Sequence, residues 1–354
     1  MKVPEQICTS RGLTLCFAMA LGLVSGAAAA KSPIDFSKEP ACNSLLPVSQ
    51  GGPAPRSPNL VVIRYLGAAN EEVAYRGNIF LIDAWYRRVP PARPLGFDRS
   101  AVKMATAILV DHAHGDHFAD VPFVARQTGA PVIGAPISIE TALKLGIPAA
   151  QTKVVTGKGG ELLQYPGVSI EPVLALHHVE GPNFRATRDA GAKAYTDLIA
   201  AAGLTRTPEQ QAEFRTVMTD GSADQRVITE GTIGFLFTFA NGYRIYYRDA
   251  AGTMTDYEKA LASRIGSPDV GMFAYSDPEP DTAVAVTMQP IRLFKPGLIM
   301  PIHHDDVGGT RFETPTEPLF LAIRNELPKS RGLSPLYRTP VCLDTESKQV
   351  FIGP

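Results

Sequence analysis

Apolar and polar positions fall into short runs whose period changes along the chain. Residues 60–65 and 78–83 are nearly continuous apolar stretches of strand length, and a third run near 72–75 lies between them. Residues 105–110 form another apolar strand, followed by a helical pattern over 119–127 that Gly129 and Pro131 stop. Strands are expected near 153–155 and 168–176. A helix starts at Thr207-Pro208-Glu209-Gln210, where Thr207 and Gln210 stand in capping-box positions and proline falls where a missing N–H costs little; Gly221 suits its far end. Asn241-Gly242 between two apolar runs, 232–240 and 244–248, predicts a hairpin. A helix from about 255, with Glu258 in the capping-box position, a strand near 270–274, a helix near 282–294, a strand at 298–301 and a last helix from Thr314-Pro315-Thr316-Glu317 complete the pattern. Strands and helices interleave throughout, as in a layered α/β domain.

Two stretches break this rhythm. Residues 31–58 carry six prolines (Pro33, Pro40, Pro47, Pro53, Pro55, Pro58) and read as an irregular lead-in laid over the domain surface. Residues 180–230, with helical spacing at Tyr195, Leu198, Ile199 and Ala202, read as a helical insertion that either walls the site or decorates the surface. The first thirty residues have a different character. Lys2 and Arg11 flank an apolar core over 13–24, and Ala28-Ala29-Ala30 fits a cleavage site, so residues 1–30 are expected to be a signal peptide and the protein to be secreted or periplasmic. No stable membrane span is expected after cleavage.

Composition narrows the function. The chain has 354 residues, 34 Lys+Arg against 35 Asp+Glu, and a formal charge of −1. Removing residues 1–30 takes away Lys2, Arg11 and Glu5, a net +1, so the mature charge is −1 − (+1) = −2. That balance argues against a nucleic-acid partner and leaves a small-molecule substrate as the expected one; oligomeric state is unreadable. Cleavage leaves only Cys42 and Cys342, which in an oxidising compartment suggest one disulfide.

Histidine carries the chemistry. All seven fall into three groups: His112, His114 and His117; His177 and His178; His303 and His304. The first sits in Asp111-His112-Ala113-His114-Gly115-Asp116-His117, directly after a strand. Histidines at i and i+2 in an extended loop converge on one ion, and the adjacent Asp-His pair can turn toward a second. Neutral imidazole and carboxylate suit Zn²⁺ and similar transition ions.

This motif resembles that of the metallo-β-lactamase-fold hydrolases, and the resemblance runs from about Leu60 onward. Tyr65-Leu66-Gly67 and Asn78-Ile79-Phe80-Leu81-Ile82-Asp83 resemble the family's opening strands and buried aspartate. His177 ends a strand where the family places its third histidine. Tyr246-Tyr247-Arg248-Asp249 resembles the segment ending in a bridging aspartate, and Pro301-Ile302-His303 the final histidine segment, closest to the lactonase-like branch typified by ascorbate-6-phosphate lactonase. The resemblance implies a four-layer αββα fold over 59–354 with the helical insertion, and two divalent ions, zinc first, with manganese or iron also suited. It implies one ion on His112, His114 and His177, a second on Asp116, His117 and His303, and Asp249 between them. Asp116 would orient the nucleophile, a hydroxide shared by the ions, and later pass a proton. Arg248 replaces the family's usual small residue, and Asp111 a usual Thr or Ser, where it can serve as an acceptor behind the ligands. Asp83 is expected beneath the metal loops, and Trp85 and Tyr86 on a loop reaching the mouth of the site or packed in the core. Strand alternation lets only one histidine of each doubled pair face the metals easily; the first of each is favoured, leaving His178 and His304 as outer or substrate-facing groups.

An aspartate at position 249 favours an ester, lactone or phosphoester hydrolase over a secreted β-lactamase, since the family's true β-lactamases generally lack it. A module of the same fold that binds metal or protein without catalysis is the expectation from another class. No serine nucleophile elbow is present.

Overall fold

Two mixed β-sheets face one another across a continuous apolar core. In the computed structural model, the described residues are 33–88, 93–178, 205–276, 280–305 and 314–354, with positions 197, 200, 201 and 203. The first sheet contains β1 (Leu60–Tyr65), β2 (Glu71–Tyr75), β3 (Asn78–Ile82), β4 (Ala107–Leu109), β5 (Val132–Gly134) and β6 (Thr152–Val154). The second contains β7 (Leu163–Tyr165), β8 (Val168–Ala175), β9 (Thr232–Phe239), β10 (Arg244–Arg248), β11 (Val270–Ala274), β12 (Leu298–Ile302) and β13 (Arg331–Gly332). The C-terminal β14 (Pro340–Asp344) and β15 (Val350–Ile352) return to the first sheet, whose order is β15-β14-β1-β2-β3-β4-β5-β6; the second runs β13-β12-β11-β10-β9-β8-β7.

Helices cover the outer faces. Among the described residues they are α1 (Gly115–Phe118), α2 (Val121–Thr128), α3 (Pro136–Lys144), α4 (Pro208–Thr219), α5 (Arg226–Thr229), α6 (Asp256–Ile265), α7 (Pro280–Phe294) and α8 (Glu317–Glu326). Alternation along the strands assigns the layers. Phe235, Phe237, Ile245 and Tyr247 join Val61, Ile63 and Phe80 between the sheets. Leu236, Tyr246, Phe273 and Ile299 pack outward with Leu261 of α6, Met288 and Ile291 of α7, and Leu319 and Ile323 of α8. The result is the expected four-layer α/β architecture. Among the described residues no helix is long and apolar enough to cross a membrane.

The strands β1, β2 and β3 are buried along their whole length because both their faces are covered. Val61 and Ile63 face the second sheet, while Leu60 and Val62 pack under Ala41, Cys42 and Val48 of the lead-in. Polar residues on that outer face do structural work. Buried Arg64 pairs with Glu72 at 3.2 Å and donates to the carbonyls of Ala41 and Ser44, while the Glu72 carboxylate accepts the N–H groups of Val48 and Ser49 at 2.9 and 2.8 Å. Arg64 and Glu72 are thus paired and hydrogen-bonded, as burial of charge requires. Cys42 and Cys342 form a disulfide across 300 positions of sequence, with Cα atoms 5.9 Å apart.

Local signals account for several elements. Asn241-Gly242 makes the turn between antiparallel β9 and β10, with Gly242 at φ +85°. Thr207 and Gln210 form both capping-box bonds of α4, and Thr255 and Glu258 those of α6. The expected 119–127 helix is α2, which runs Val121–Thr128 after the separate short α1. The last helix begins at Glu317 with Thr316 at its N-cap position, where the Thr316 side chain makes no capping bond. One expectation needs correction. Gly221 is not a left-handed helix terminus. A Cβ there would stand 2.5 Å from the Gly115 nitrogen and 2.8 Å from the Ala113 oxygen, so its lack of a side chain serves close approach to the histidine loop. Residues 1–30, expected to be a signal peptide, and the helical spacing at Tyr195, Leu198, Ile199 and Ala202 lie outside the described residues.

Candidate metal centre

Four strand ends deliver the histidine and aspartate side chains to one cavity of about 250 Å³. The loop after β4 and the start of α1 supply His112, His114, Asp116 and His117. The segment after β8 supplies His177, that after β10 supplies Asp249, and that after β12 supplies His303. The potential ligand atoms of His112, His114 and His177 lie within 4.8 Å of one another, and so do those of Asp116, His117 and His303. Asp249 stands beside the second group, its Oδ2 3.1 Å from His303 Nδ1 and 3.8 Å from His117 Nε2.

Groups behind the cavity fix the rings. His117 Nδ1 lies 2.8 Å from Asp83 Oδ2, while Asp83 Oδ1 accepts the Asp111 N–H at 2.8 Å. Asp111 in turn reaches His112 Nδ1 at 2.5 Å and accepts the Asp249 N–H at 3.3 Å. These contacts put the ring protons on Nδ1 and leave Nε2 facing the cavity. Burial pushes the Asp83 carboxyl up to about 6, against the opposing pull of His117.

The histidines differ in charge preference. Burial holds His112 and His177 well below the ordinary imidazole value and brings His114 down to about 4, so all three are neutral. Burial also disfavours charge on His117 and His303, but Asp116, Asp83 and Asp249 around the first, and Asp249 and Asp116 around the second, raise both. Asp116 is likewise resisted by burial yet held well below the usual carboxylate range by His117 and His303. Buried His112 Nε2 has no hydrogen-bond partner. An orphaned buried imidazole nitrogen is costly, and a metal ion is the partner that the surrounding imidazoles and carboxylates suit. The residues therefore fit the ions that the sequence implies.

The doubled histidines separate clearly. His303 points between Asp116 (3.5 Å) and Asp249, whereas His304 stacks on Tyr65 and meets Ser334 Oγ at 2.9 Å. His177 joins the first group, and His178 Nδ1 lies 2.6 Å from His177 Nδ1, behind it. Arg248 turns away from the cavity, pairing with Glu258 at 2.5 Å and donating to the carbonyls of Ala250 and Gly252. Trp85 and Tyr86 do not reach the mouth: both are buried, Trp85 among Ala68, Ala119 and Val217 of α4.

Sequence reasoning passed over two supports. Tyr247 donates to the Ala69 carbonyl at 2.8 Å and touches Asp83 at 3.4 Å; its inward register on β10 was the available signal. Asp305 lies two residues beyond His303 and is tied to Tyr65, Ala68, Arg88 and Tyr337, none of them near it in sequence.

The chain resembles known proteins over most of its length. The profile of the beta-lactamase superfamily domain matches residues 78–304, well over half the chain. A UPF0173 metal-dependent hydrolase of Cupriavidus taiwanensis is 26% identical over 265 residues, 73% of this chain and 78% of that protein. One from Pyrobaculum neutrophilum is 35% identical over 116 residues, 32% of this chain and 50% of that protein. Among solved structures, Igni18, a metallo hydrolase from the hyperthermophilic archaeon Ignicoccus hospitalis, shares the fold with a TM-score of 0.53 at 14% identity, covering 80% of this chain and 98% of that one. The chain belongs to the metallo-β-lactamase superfamily and is a metal-dependent hydrolase.

Proposed function

We propose that the protein is an exported hydrolase that holds two divalent ions, zinc by preference, and cleaves a small neutral ester or lactone. The observation that carries this reading is the pair of ligand groups, His112/His114/His177 and Asp116/His117/His303, opening on one cavity with Asp249 beside them. Ions held there supply Lewis acidity, which lowers the pKa of water and draws off charge developing on the substrate oxygen.

The protein's own groups do the rest. His112, His114 and His177 are neutral and ready to ligate, and Asp116, kept anionic, orients the attacking water and receives its proton. Asp83 and Asp111 keep the rings turned inward. Asp249, beside the second group, would join the two, and Arg248 anchors the loop that follows. The preference for a neutral substrate comes from the cavity wall. Ala250, Ala251, Ala274, Ala283 and Val286 line it, and among the described lining residues there is no lysine or arginine to hold a phosphate. Export is supported by the Cys42–Cys342 disulfide, which persists in an oxidising compartment.

The test is a turnover screen of the metal-loaded protein against simple esters, lactones, a phosphodiester and a β-lactam. The reading expects ester or lactone turnover that stops in Asp116→Ala and after chelation. Preferential phosphodiester or β-lactam turnover would overturn the substrate assignment, and no turnover across the panel would favour a metal-binding module without catalysis.

A further inference from the structure

His303 and Ala68 both hold left-handed backbone conformations, at φ +58° and +51°. Such conformations are unfavourable for residues with a side chain and persist where their surroundings determine them. Here the two are tied together. The His303 N–H donates to the Ala68 carbonyl at 2.8 Å, and the Ala68 N–H donates to Asp305 Oδ1 at 2.9 Å. A ring of contacts therefore runs from His303 to Ala68 to Asp305 and closes through His304.

Asp305 is firmly held at the far side of that ring. Its Oδ1 accepts from the Tyr65 hydroxyl and the Ala68 N–H, and its Oδ2 from the Tyr337 hydroxyl and from Arg88 at 3.3 Å. The side chain is almost fully buried, and these four donors satisfy both oxygens. His304, between the two, is fixed by its stacking on Tyr65 (centroids 5.2 Å apart, planes at 14°) and by Ser334. Three consecutive side chains thus take three directions: His303 into the cavity, His304 onto Tyr65, and Asp305 into the anchor.

We propose that Asp305 is a positioning residue that acts through the Ala68 backbone to hold His303 in its strained conformation between Asp116 and Asp249. The proposal deepens the two-ion reading above and rests on it. Asp305 touches no ligand atom of the cavity; its effect passes through one peptide group.

The test adds Zn²⁺ alone to the metal-free full chain, resolves the heat of each equivalent, and solves the crystal structure of each variant. In Asp305→Ala, the equivalent held by the His303 group weakens by about 10- to 100-fold, the loss typical when an outer support is removed. The equivalent held by His112, His114 and His177 keeps its affinity, and His303 leaves the left-handed region. Asp305→Asn still offers an oxygen to the Ala68 N–H. It restores the weakened equivalent even though it forfeits the Arg88 ion pair and melts lower, an outcome that general destabilisation would not produce. If Asp305→Ala does not fold, Tyr337→Phe decides, and must weaken the His303-group equivalent more than the other. Equal loss at both equivalents, no loss in a folded variant, or a variant structure with His303 unmoved overturns the proposal. A wild-type chain that takes up a single ion overturns the two-ion reading instead, and the His303 conformation in the variant crystals then decides the role of Asp305.

Discussion

Asp83→Asn isolates the contribution of one buried acceptor. Asp83 sits at φ +58°, a conformation asparagine tolerates, so the backbone should survive the change. The difficulty is in hydrogen bonding. The native carboxylate offers one oxygen to the Asp111 N–H and the other to His117 Nδ1, both at 2.8 Å. An amide has only one acceptor. If its oxygen faces Asp111, its NH₂ faces His117 Nδ1, which must then give up its proton to Nε2, the nitrogen that lies 4.0 Å from Asp116 and 3.8 Å from Asp249. A protonated Nε2 cannot ligate. If the amide turns the other way, NH₂ meets the Asp111 N–H and leaves buried donors unsatisfied, at about 1–3 kcal/mol. With about 1.4 kcal/mol to each factor of ten, that cost corresponds to a roughly 5- to 100-fold weaker ion at the His117 group. Chelator competition near neutral pH measures it, with the His112/His114/His177 ion as internal control. Native affinity at both positions in a correctly folded Asp83→Asn protein would refute the tautomer argument.

Removing the Cys42–Cys342 bond opens a loop of 300 positions; chain entropy sets a ceiling of about 5–6 kcal/mol, with about 2–5 expected, read from denaturant midpoints of the Cys42→Ser/Cys342→Ser protein. Gly221→Ala drives a methyl group against the backbone of Ala113 and Gly115, so it should cost about 1–3 kcal/mol in thermal unfolding and speed amide exchange over 113–117. Asp344 is pushed up by burial, but the Ser347 hydroxyl and the N–H groups of Ile34, Glu346 and Ser347 outweigh it and hold the carboxyl below its ordinary value. Its stabilising contribution is therefore present above the unfolded value of about 3.9 and lost as pH falls below it. Asp344→Asn should flatten the stability–pH curve in that acid window, and an unchanged slope there would count against this contact.

The parts of the molecule legible in the sequence are those encoded locally. An apolar run ending in Asp111-His112-Ala113-His114-Gly115-Asp116-His117 specifies both a strand and what it delivers, because ligand spacing and strand end occupy the same few residues. Asn241-Gly242 and the Thr207/Gln210 and Thr255/Glu258 pairs act within four positions, so turn and cap chemistry can be read directly. Long-range partners left no such trace. The buried pair Arg64–Glu72 looks like surface polarity until the lead-in is seen closing over it. Arg248 stands in the sequence as a large charged replacement for a small residue beside Asp249, and only Glu258 and two carbonyls, seen in the fold, draw it away from the cavity. Asp305 takes its meaning from Tyr65, Ala68 and Arg88, more than two hundred positions earlier. Nothing local marks β14 and β15: Val341-Cys342-Leu343 becomes a strand only beside β1, and β15 only beside β14.

The proposed function requires two ions on seven side chains: His112, His114, Asp116, His117, His177, Asp249 and His303. Native mass spectrometry with elemental analysis of the zinc-reconstituted protein tests it most directly. The account predicts two ions per chain, falling to one in His303→Ala with His112, His114 and His177 still loaded, and hydrolysis lost together with the second ion. A single ion in the wild type, or hydrolysis that survives complete removal of metal, would contradict it.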